Sequence, residues 1–189
     1  MKKIGIYGGS FDPIHHGHLI LAREAREALN LEKVIFVPAA MSPFKGRAAA
    51  ASGDVRLKML HAAIEDEQEF AIDECELLRP PPSWTIDTVL EIRQREPDSE
   101  IYLLVGEDNV ATLDRWRRFD ELKQMVRFVV LDRTGSQTQL NYQTVRRKID
   151  ISATDIRKRV ARGQSIRYLV PPAVEEIIQR EKLYREQSK

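Results

Sequence analysis

Gly8-Gly9-Ser10-Phe11-Asp12-Pro13-Ile14-His15-His16-Gly17-His18 follows the apolar run Ile4, Ile6, Tyr7 and holds three of the chain's four histidines. Upstream, Lys2 to Tyr7 reads as a short first strand. Downstream, Leu19, Leu21, Ala25, Ala28 and Leu29 recur at helical spacing and predict a helix over Ala22 to Leu29. The quoted segment is therefore a strand-to-helix turn. Glycines at 8 and 9 can take backbone angles closed to other residues and let the main chain approach a ligand. Helix entry aims unpaired N–H groups and the positive end of the dipole at whatever sits above the turn, which favours an anion such as a phosphate. If the helix begins near His15, then His15 and His18 share a face, and His16 points about 100° away. Gly17 keeps that face open.

Two imidazoles beside such a turn can donate hydrogen bonds to phosphate oxygens and offset charge that develops as a phosphoryl bond breaks. An isolated pair would read better as a solvated helix end or a metal site. The glycines, the position after the first strand and the stiff Phe11-Asp12-Pro13 tilt the reading to phosphate. A zinc site would want a third or fourth ligand, and His61 and Cys75 are the only other histidine and cysteine.

Working outward, strand-like runs alternate with helical ones. Lys33 to Val37, Phe70 to Ile72, Ile101 to Val105 and Arg127 to Leu131 read as buried strands; Val55 to Ile64, Ile86 to Arg95, Asp120 to Met125 and Pro172 to Glu181 read as helices. This alternation predicts an α/β fold, a Rossmann-like doubly wound parallel sheet with helices on both faces, whose ligands bind beyond the carboxyl ends of the strands. Gly8 and Gly106 both fall at such ends. Gly46 to Gly53 and Gly135 to Thr144 read as the most loop-like stretches.

A second motif lies near the other end of the chain. Ser152 followed by Asp155 resembles a capping box with Asp in place of Glu or Gln, and Ile156 and Val160 give the helix that starts there an apolar stripe. Thr154 and Arg157 then sit in its first turn. Alone this is a helix start; paired with the first motif it reads as a second anion clamp for the far phosphates of a nucleoside triphosphate.

Composition agrees with an ordinary cytoplasmic enzyme. The 189 residues suit one domain, 1–189, with a helical C-terminal portion from about residue 152 to 189. A net charge of +1 gives no argument for nucleic acid, and the basic residues from Arg146 to Arg167 read as solvated helix faces. The single cysteine rules out an internal disulfide and fits a reducing compartment. No apolar stretch approaches the roughly 20 residues of a membrane span, and Met1-Lys2-Lys3 runs straight into a strand.

The first motif resembles the HxGH signature of the nucleotidyltransferase superfamily. Its form here is most similar to that of bacterial nicotinate-nucleotide adenylyltransferases, where the third position is usually threonine. Ile151-Ser152-Ala153-Thr154-Asp155-Ile156-Arg157 is similar to the family's second signature, I-S-x-T-x-I-R. The resemblance implies that the phosphate of nicotinate mononucleotide attacks the α-phosphorus of ATP, releasing pyrophosphate and forming nicotinate adenine dinucleotide. It implies catalytic roles for His15, His18 and Arg157. It implies ATP contacts for Gly8, Gly9, Ser10, Phe11, Gly106, Asp108, Arg133, Ser152, Thr154 and Arg157, with magnesium carried mainly on the ATP phosphates and no protein metal ligand.

The acceptor side rests on weaker segments. Gly106-Glu107-Asp108 resembles the family's Gly-x-Asp, although a carboxylate opening a helix would look the same. Trp116 lies among charged neighbours and matches the tryptophan that stacks on the substrate's pyridine in the family. Ser83-Trp84-Thr85 resembles the segment whose amides receive the nicotinate carboxylate, and Lys45 matches the basic residue for the mononucleotide phosphate. Phe44 stands where the family usually has histidine, and Thr134 replaces a proline beside Arg133, which predicts a looser loop there. A nicotinamide-preferring enzyme, a phosphopantetheine adenylyltransferase and a non-catalytic nucleotide-binding regulator remain as alternatives, and a homo-oligomer stays open. No nucleic-acid or membrane partner is expected.

Overall fold

Along the first strand, Ile4 and Ile6 join one buried cluster and Tyr7 joins another, the period-two alternation of a strand packed on both faces. The chain is described here from a computed structural model covering residues 1–41, 48–135 and 141–185. Its elements run β1 (Lys2–Gly9), α1 (His16–Leu29), β2 (Lys33–Pro38), α2 (Gly53–Ile64), β3 (Phe70–Ile72), α3 (Cys75–Leu78), α4 (Thr85–Arg95) and β4 (Ser99–Gly106). A 3-10 helix (Glu107–Arg115) follows, then α5 (Phe119–Met125), β5 (Arg127–Asp132), β6 (Gln143–Arg146), α6 (Ala153–Ala161) and α7 (Pro172–Arg180).

The sheet has six strands in the order β3-β2-β1-β4-β5-β6, and every pairing is parallel. The doubly wound sheet read from the alternating pattern is therefore present. The order reverses between β1 and β4, which pair from Lys2 with Ser99 to Tyr7 with Leu104. Crossovers leave that point in opposite directions, so a crevice opens at the carboxyl ends of these two strands.

One core lies between the sheet and α1, α2, α6 and α7, through residues such as Leu21, Met59, Ile156 and Val174. The other lies under α4, α5 and the 3-10 helix, through Val89, Leu122 and Leu113. Helix α7 docks by Val174, Ile177 and Ile178, each buried, and every such side chain contributes about 1.5–3 kcal/mol relative to exposure. That docking carries the chain end back across the molecule to Tyr184.

Four departures from the sequence reading concern the segments that follow strands. Helix α1 starts at His16, so the histidine motif is the helix entry itself. Residues Gln143 and Thr144, read as loop, begin the edge strand β6, and a four-residue helix, α3, follows β3. The stretch after Gly106 is a nine-residue 3-10 helix with one buried residue, Leu113. Among the described residues no helix is long and apolar enough to cross a membrane.

Candidate active site

Two cavities meet at the switch point. The larger, about 590 Å³, is bounded by the end of β1, the entry of α1 and the first turn of α6. The smaller, about 130 Å³, lies between β4 and the entry of α4 and includes Trp84, Thr85 and Trp116. Gly8, Gly9, Ser10, Ala39, Gly106 and Asn109 line both, so the two cavities adjoin across the Gly-Gly-Ser turn.

The glycines serve space rather than backbone freedom. Neither Gly8 nor Gly9 takes a left-handed angle; the positive φ in this turn, 46°, belongs to Phe11. A Cβ on Gly8 would meet nothing within 4 Å, so its absence leaves open room over the main chain. On Gly9 a Cβ would lie 2.9 Å from the Phe11 ring. Phe11 itself is buried and stands edge-on to Tyr7, Phe36 and His18, so its ring supports the wall of the larger cavity.

His15 and His18 come together as the helical spacing predicted. Their rings stack at 3.7 Å between centroids and 24° between planes. The His15 backbone N–H donates to His18 Nδ1 at 3.3 Å, which makes Nε2 the nitrogen that carries the proton in a neutral His18 ring. Burial, reinforced by Arg133 and His16, pushes the His15 imidazole down to about 3. It is a neutral ring at ordinary pH. Its Nδ1 is buried at the helix entry, where the His15 side chain caps the first turn of α1. Gly17 is needed here, because a Cβ would sit 3.0 Å from that same Nδ1.

The two signature motifs touch directly. Ser152 caps α6 by accepting the Asp155 N–H at 3.1 Å. Arg157, one turn on, donates to the Asp12 carbonyl at 2.7 Å and to Thr154 Oγ1 at 3.2 Å. Asp12 is a hub that the motif reading passed over. Its carboxylate accepts the Ala50 N–H at 2.7 Å, the Ala51 N–H at 3.1 Å and the Tyr184 hydroxyl at 2.7 Å. Beneath the same turn the buried Arg56 donates to the Ser10 carbonyl at 2.7 Å, and burial lowers its guanidinium from the usual range. The Asp12 position lies inside the motif; Arg56 and Tyr184 carry no local signal that would have singled them out.

At the end of β4, Asp108 folds back over Gly106, where a Cβ would be 2.5 Å from Asp108 Oδ1, and Asn109 Nδ2 donates to that oxygen at 3.1 Å. Arg133 is exposed at the mouth of the larger cavity and donates to the Ile151 carbonyl at 3.4 Å. Of the loop expected to be looser for want of a proline beside Arg133, the part up to Gly135 lies within the described residues. Thr134 N–H, Thr134 Oγ1 and Gly135 N–H all donate to Asp132 Oδ1, at 2.9, 2.9 and 3.1 Å, so an Asp-centred turn replaces the proline.

Around the smaller cavity, Trp84, the residue before the first turn of α4, carries the Arg117 guanidinium over its ring at 5.4 Å. The Thr85 and Ile86 amides open α4 and have no acceptor among the described residues, as helix geometry requires of first-turn donors. Trp116 is half-buried and packs near Phe128, 6.4 Å between ring centroids. Lys45 and Phe44 lie outside the described residues. No cluster of three or more His, Cys, Asp or Glu side chains suited to a metal occurs among the described residues.

Comparison with known proteins follows the same lines. The sequence profile of the cytidylyltransferase-like family matches residues 6–159. A relative from Shouchella clausii, named a probable nicotinate-nucleotide adenylyltransferase, is 45% identical, with 97% of each chain covered. One of the same name from Exiguobacterium sibiricum is 40% identical, covering 96% of this chain and 98% of the relative. Among solved structures, Plasmodium falciparum nicotinic acid mononucleotide adenylyltransferase complexed with NaAD superposes with a TM-score of 0.79 at 18% identity, covering 97% of this chain and 98% of that one. That likeness is one of fold.

Proposed function

The chain belongs to the cytidylyltransferase-like family and, within it, to the nicotinate-nucleotide adenylyltransferases, and from that premise we propose how its residues perform the transfer. The enzyme moves the adenylyl group of ATP to nicotinate mononucleotide, releasing pyrophosphate and forming nicotinate adenine dinucleotide in NAD biosynthesis. The observation that carries the reading is the pair of cavities sharing the Gly8-Gly9-Ser10 turn. ATP takes the larger one, with its adenosine toward Asp108 and Arg133 and its phosphates toward His15, His18, Thr154 and Arg157. The pyridine of the mononucleotide takes the smaller one, against Trp116, with its carboxylate on the Thr85 amide and its phosphate toward the shared turn and Lys45.

In that arrangement the acceptor phosphate meets the α-phosphorus over Gly8 and Gly9 in line with the leaving pyrophosphate, and no protein nucleophile is needed. His18 donates from Nε2 to an oxygen on the reacting phosphate, and the neutral His15 ring, its Nδ1 turned into the helix entry, donates from Nε2 beside it. Arg157, already held by Asp12 and Thr154, and the N-terminus of α6 take the charge that gathers on pyrophosphate. The imidazoles, hydroxyls and guanidinium around the phosphates suit phosphate oxygens rather than a hard cation, and the carboxylates of the same cavity form no cluster of three suited to a metal among the described residues; magnesium carried on the triphosphate would supply charge neutralisation there. We place the reaction in the cytoplasm.

Pyrophosphate release measured with ATP and, in turn, nicotinate mononucleotide, nicotinamide mononucleotide and phosphopantetheine tests this reading. Turnover with the nicotinate form is expected to exceed the amide form by about 100-fold in kcat/KM, since charge-assisted bonds to the Thr85 amide are lost and an NH2 faces donors. Equal use of acid and amide would refute the carboxylate site. Preference for phosphopantetheine would refute the acceptor assignment altogether.

A further inference from the structure

The smaller cavity has a buried carboxylate in its wall. Glu76, on the short helix α3, is 7% exposed and lines the cavity with Ser83 and Thr88. A negative charge beside a site assigned to a carboxylate calls for a physical reason. Its hydrogen bonds supply one.

Thr88 Oγ1 donates to Glu76 Oε1 at 2.6 Å, and the same oxygen accepts from Arg79 Nη2 at 2.7 Å. The Ser83 hydroxyl is also hydrogen-bonded to Glu76, while Ser83 Oγ accepts the Ala40 N–H at 3.0 Å. Arg79 is tied in turn to Glu91. Each hydroxyl thus has its proton committed to Glu76 and a lone pair committed to Ala40 or Arg79. Ser83 and Thr88 flank Trp84 and Thr85, so one carboxylate grips the entry of α4 on both sides of its free amides. With those hydroxyls turned onto Glu76, the backbone donors of α4 are what the pocket offers to a ligand at this end.

We infer that Glu76 is a positioning residue for acceptor choice: it turns the Ser83 and Thr88 hydroxyls away from the ligand and fixes the Thr85 amide edge, so that the pocket accepts a pyridine carboxylate and rejects a carboxamide. A ligand NH2 group there must compete with the Ala40 and Arg79 donors and with the two hydroxyls for the same acceptor oxygens, whereas the oxygens of a ligand carboxylate meet the free amides of α4. The inference rests on assigning the smaller cavity to the pyridine.

Replacing Glu76 by Gln keeps the shape and removes the grip. A glutamine has one oxygen for two hydroxyls and an NH2 group that must itself find an acceptor, so one hydroxyl is released into the pocket. Desolvation raises the Glu76 carboxyl above its ordinary range, so the charge is held against the preference of its surroundings and its removal is not expected to lower the melting temperature. Glu76→Gln is therefore expected to fold with an unchanged or higher melting temperature, to raise KM for nicotinate mononucleotide about fivefold, and to lower the acid-to-amide ratio of kcat/KM by about fivefold or more, the factor set by one net hydrogen bond. Saturated turnover should move less than about twofold. Thr88→Val, which removes one of the two hydroxyls, should shift the ratio in the same direction if Glu76→Gln proves unstable. A folded Glu76→Gln enzyme with the original ratio overturns the inference, as does an unchanged ratio in both variants. Trp116→Ala, assayed alongside, separates the two layers: if it weakens both acceptors while Glu76→Gln leaves the ratio alone, the Glu76 inference fails; if it affects neither acceptor, the cavity assignment itself fails.

Discussion

Removing a single hydroxyl from the end of the chain should be felt at the phosphate turn. Tyr184 donates to Asp12 Oδ1 at 2.7 Å, across 172 residues of sequence, and burial raises its phenol well above the ordinary range, so it remains a donor at every working pH. Tyr184→Phe keeps the ring and deletes the donor. A hydrogen bond to a charged group contributes about 1.5–3 kcal/mol, and the Asp12 carboxylate would be left with the Ala50 and Ala51 amides alone. For a chain of this length, about 2–4 °C of melting temperature accompanies each kcal/mol, so a fall of roughly 3–12 °C is expected. The kinetic effect follows from the Asp12 backbone, since the carbonyl of the same residue holds Arg157. If Asp12 shifts by a fraction of an ångström, Arg157 and the Ala50 segment shift with it, and kcat/KM for ATP should drop about tenfold, well inside the range that misplacement by an ångström can cause. Thermal unfolding by circular dichroism and initial-rate kinetics with varied ATP measure both. A variant that melts within about 1 °C of the parent and keeps its ATP kinetics would refute the hub role of Asp12.

Further expectations follow from the histidines and the arginine. His18→Ala should lower turnover on the order of 100-fold with little loss of stability, because its Nε2 acts on developing charge; a folded variant within a few-fold of normal turnover refutes that role, and His16→Ala should matter much less. His15 binds fewer protons folded than unfolded between pH 3 and 6.5, so stability rises with pH through that window and is lost as pH falls from 6.5 toward 3. Urea titrations at pH 4.5 and 7.5 should show a smaller acid-side loss in His15→Gln than in the parent, and equal losses would refute the buried neutral ring. Arg157→Ala should impair the ATP side far more than mononucleotide binding, and unchanged ATP kinetics would reduce the second motif to a helix cap.

The sequence exposed those parts of the molecule whose signal is local. Five of the six strands, β1 to β5, are apolar runs because a parallel sheet is covered on both faces, and such runs need no partner to be seen. Strand β6 escaped because it is an edge of four residues with only Val145 buried, and its Gln and Thr read as loop. The 3-10 helix escaped for a similar reason: with Leu113 alone buried, it has no apolar stripe to read. Spacing did place His15 and His18 on one face, because three residues apart on a helix is a geometric statement. It gave no hint that His15 would be buried, because segments distant in sequence arrive beside it: the His16 N–H donates to the Leu169 carbonyl at 3.0 Å, and Ile149 lies 3.5 Å from where a Cβ on Gly17 would stand.

The hidden residues share a physical character. Asp12, Arg56, Glu76 and Tyr184 are polar groups whose partners lie on other elements, so each looks like an ordinary surface residue until the fold brings donor and acceptor together. A buried polar group must find its partner or cost stability, and this requirement turns such residues into fasteners between segments. Here the fasteners fall where the doubly wound topology needs them. The crevice at the switch point is made of loops that the sheet aligns but does not hold. Asp12 ties the phosphate turn to α6 and to the chain end, and Glu76 ties α3 to the entry of α4. A phosphate turn can thus be recognised from its glycines and histidines, while the rigidity that lets it favour a transition state depends on charges placed far off in sequence. Substituting the visible motif residues should therefore alter chemistry at little structural cost, and substituting the fasteners should alter geometry first and chemistry through it.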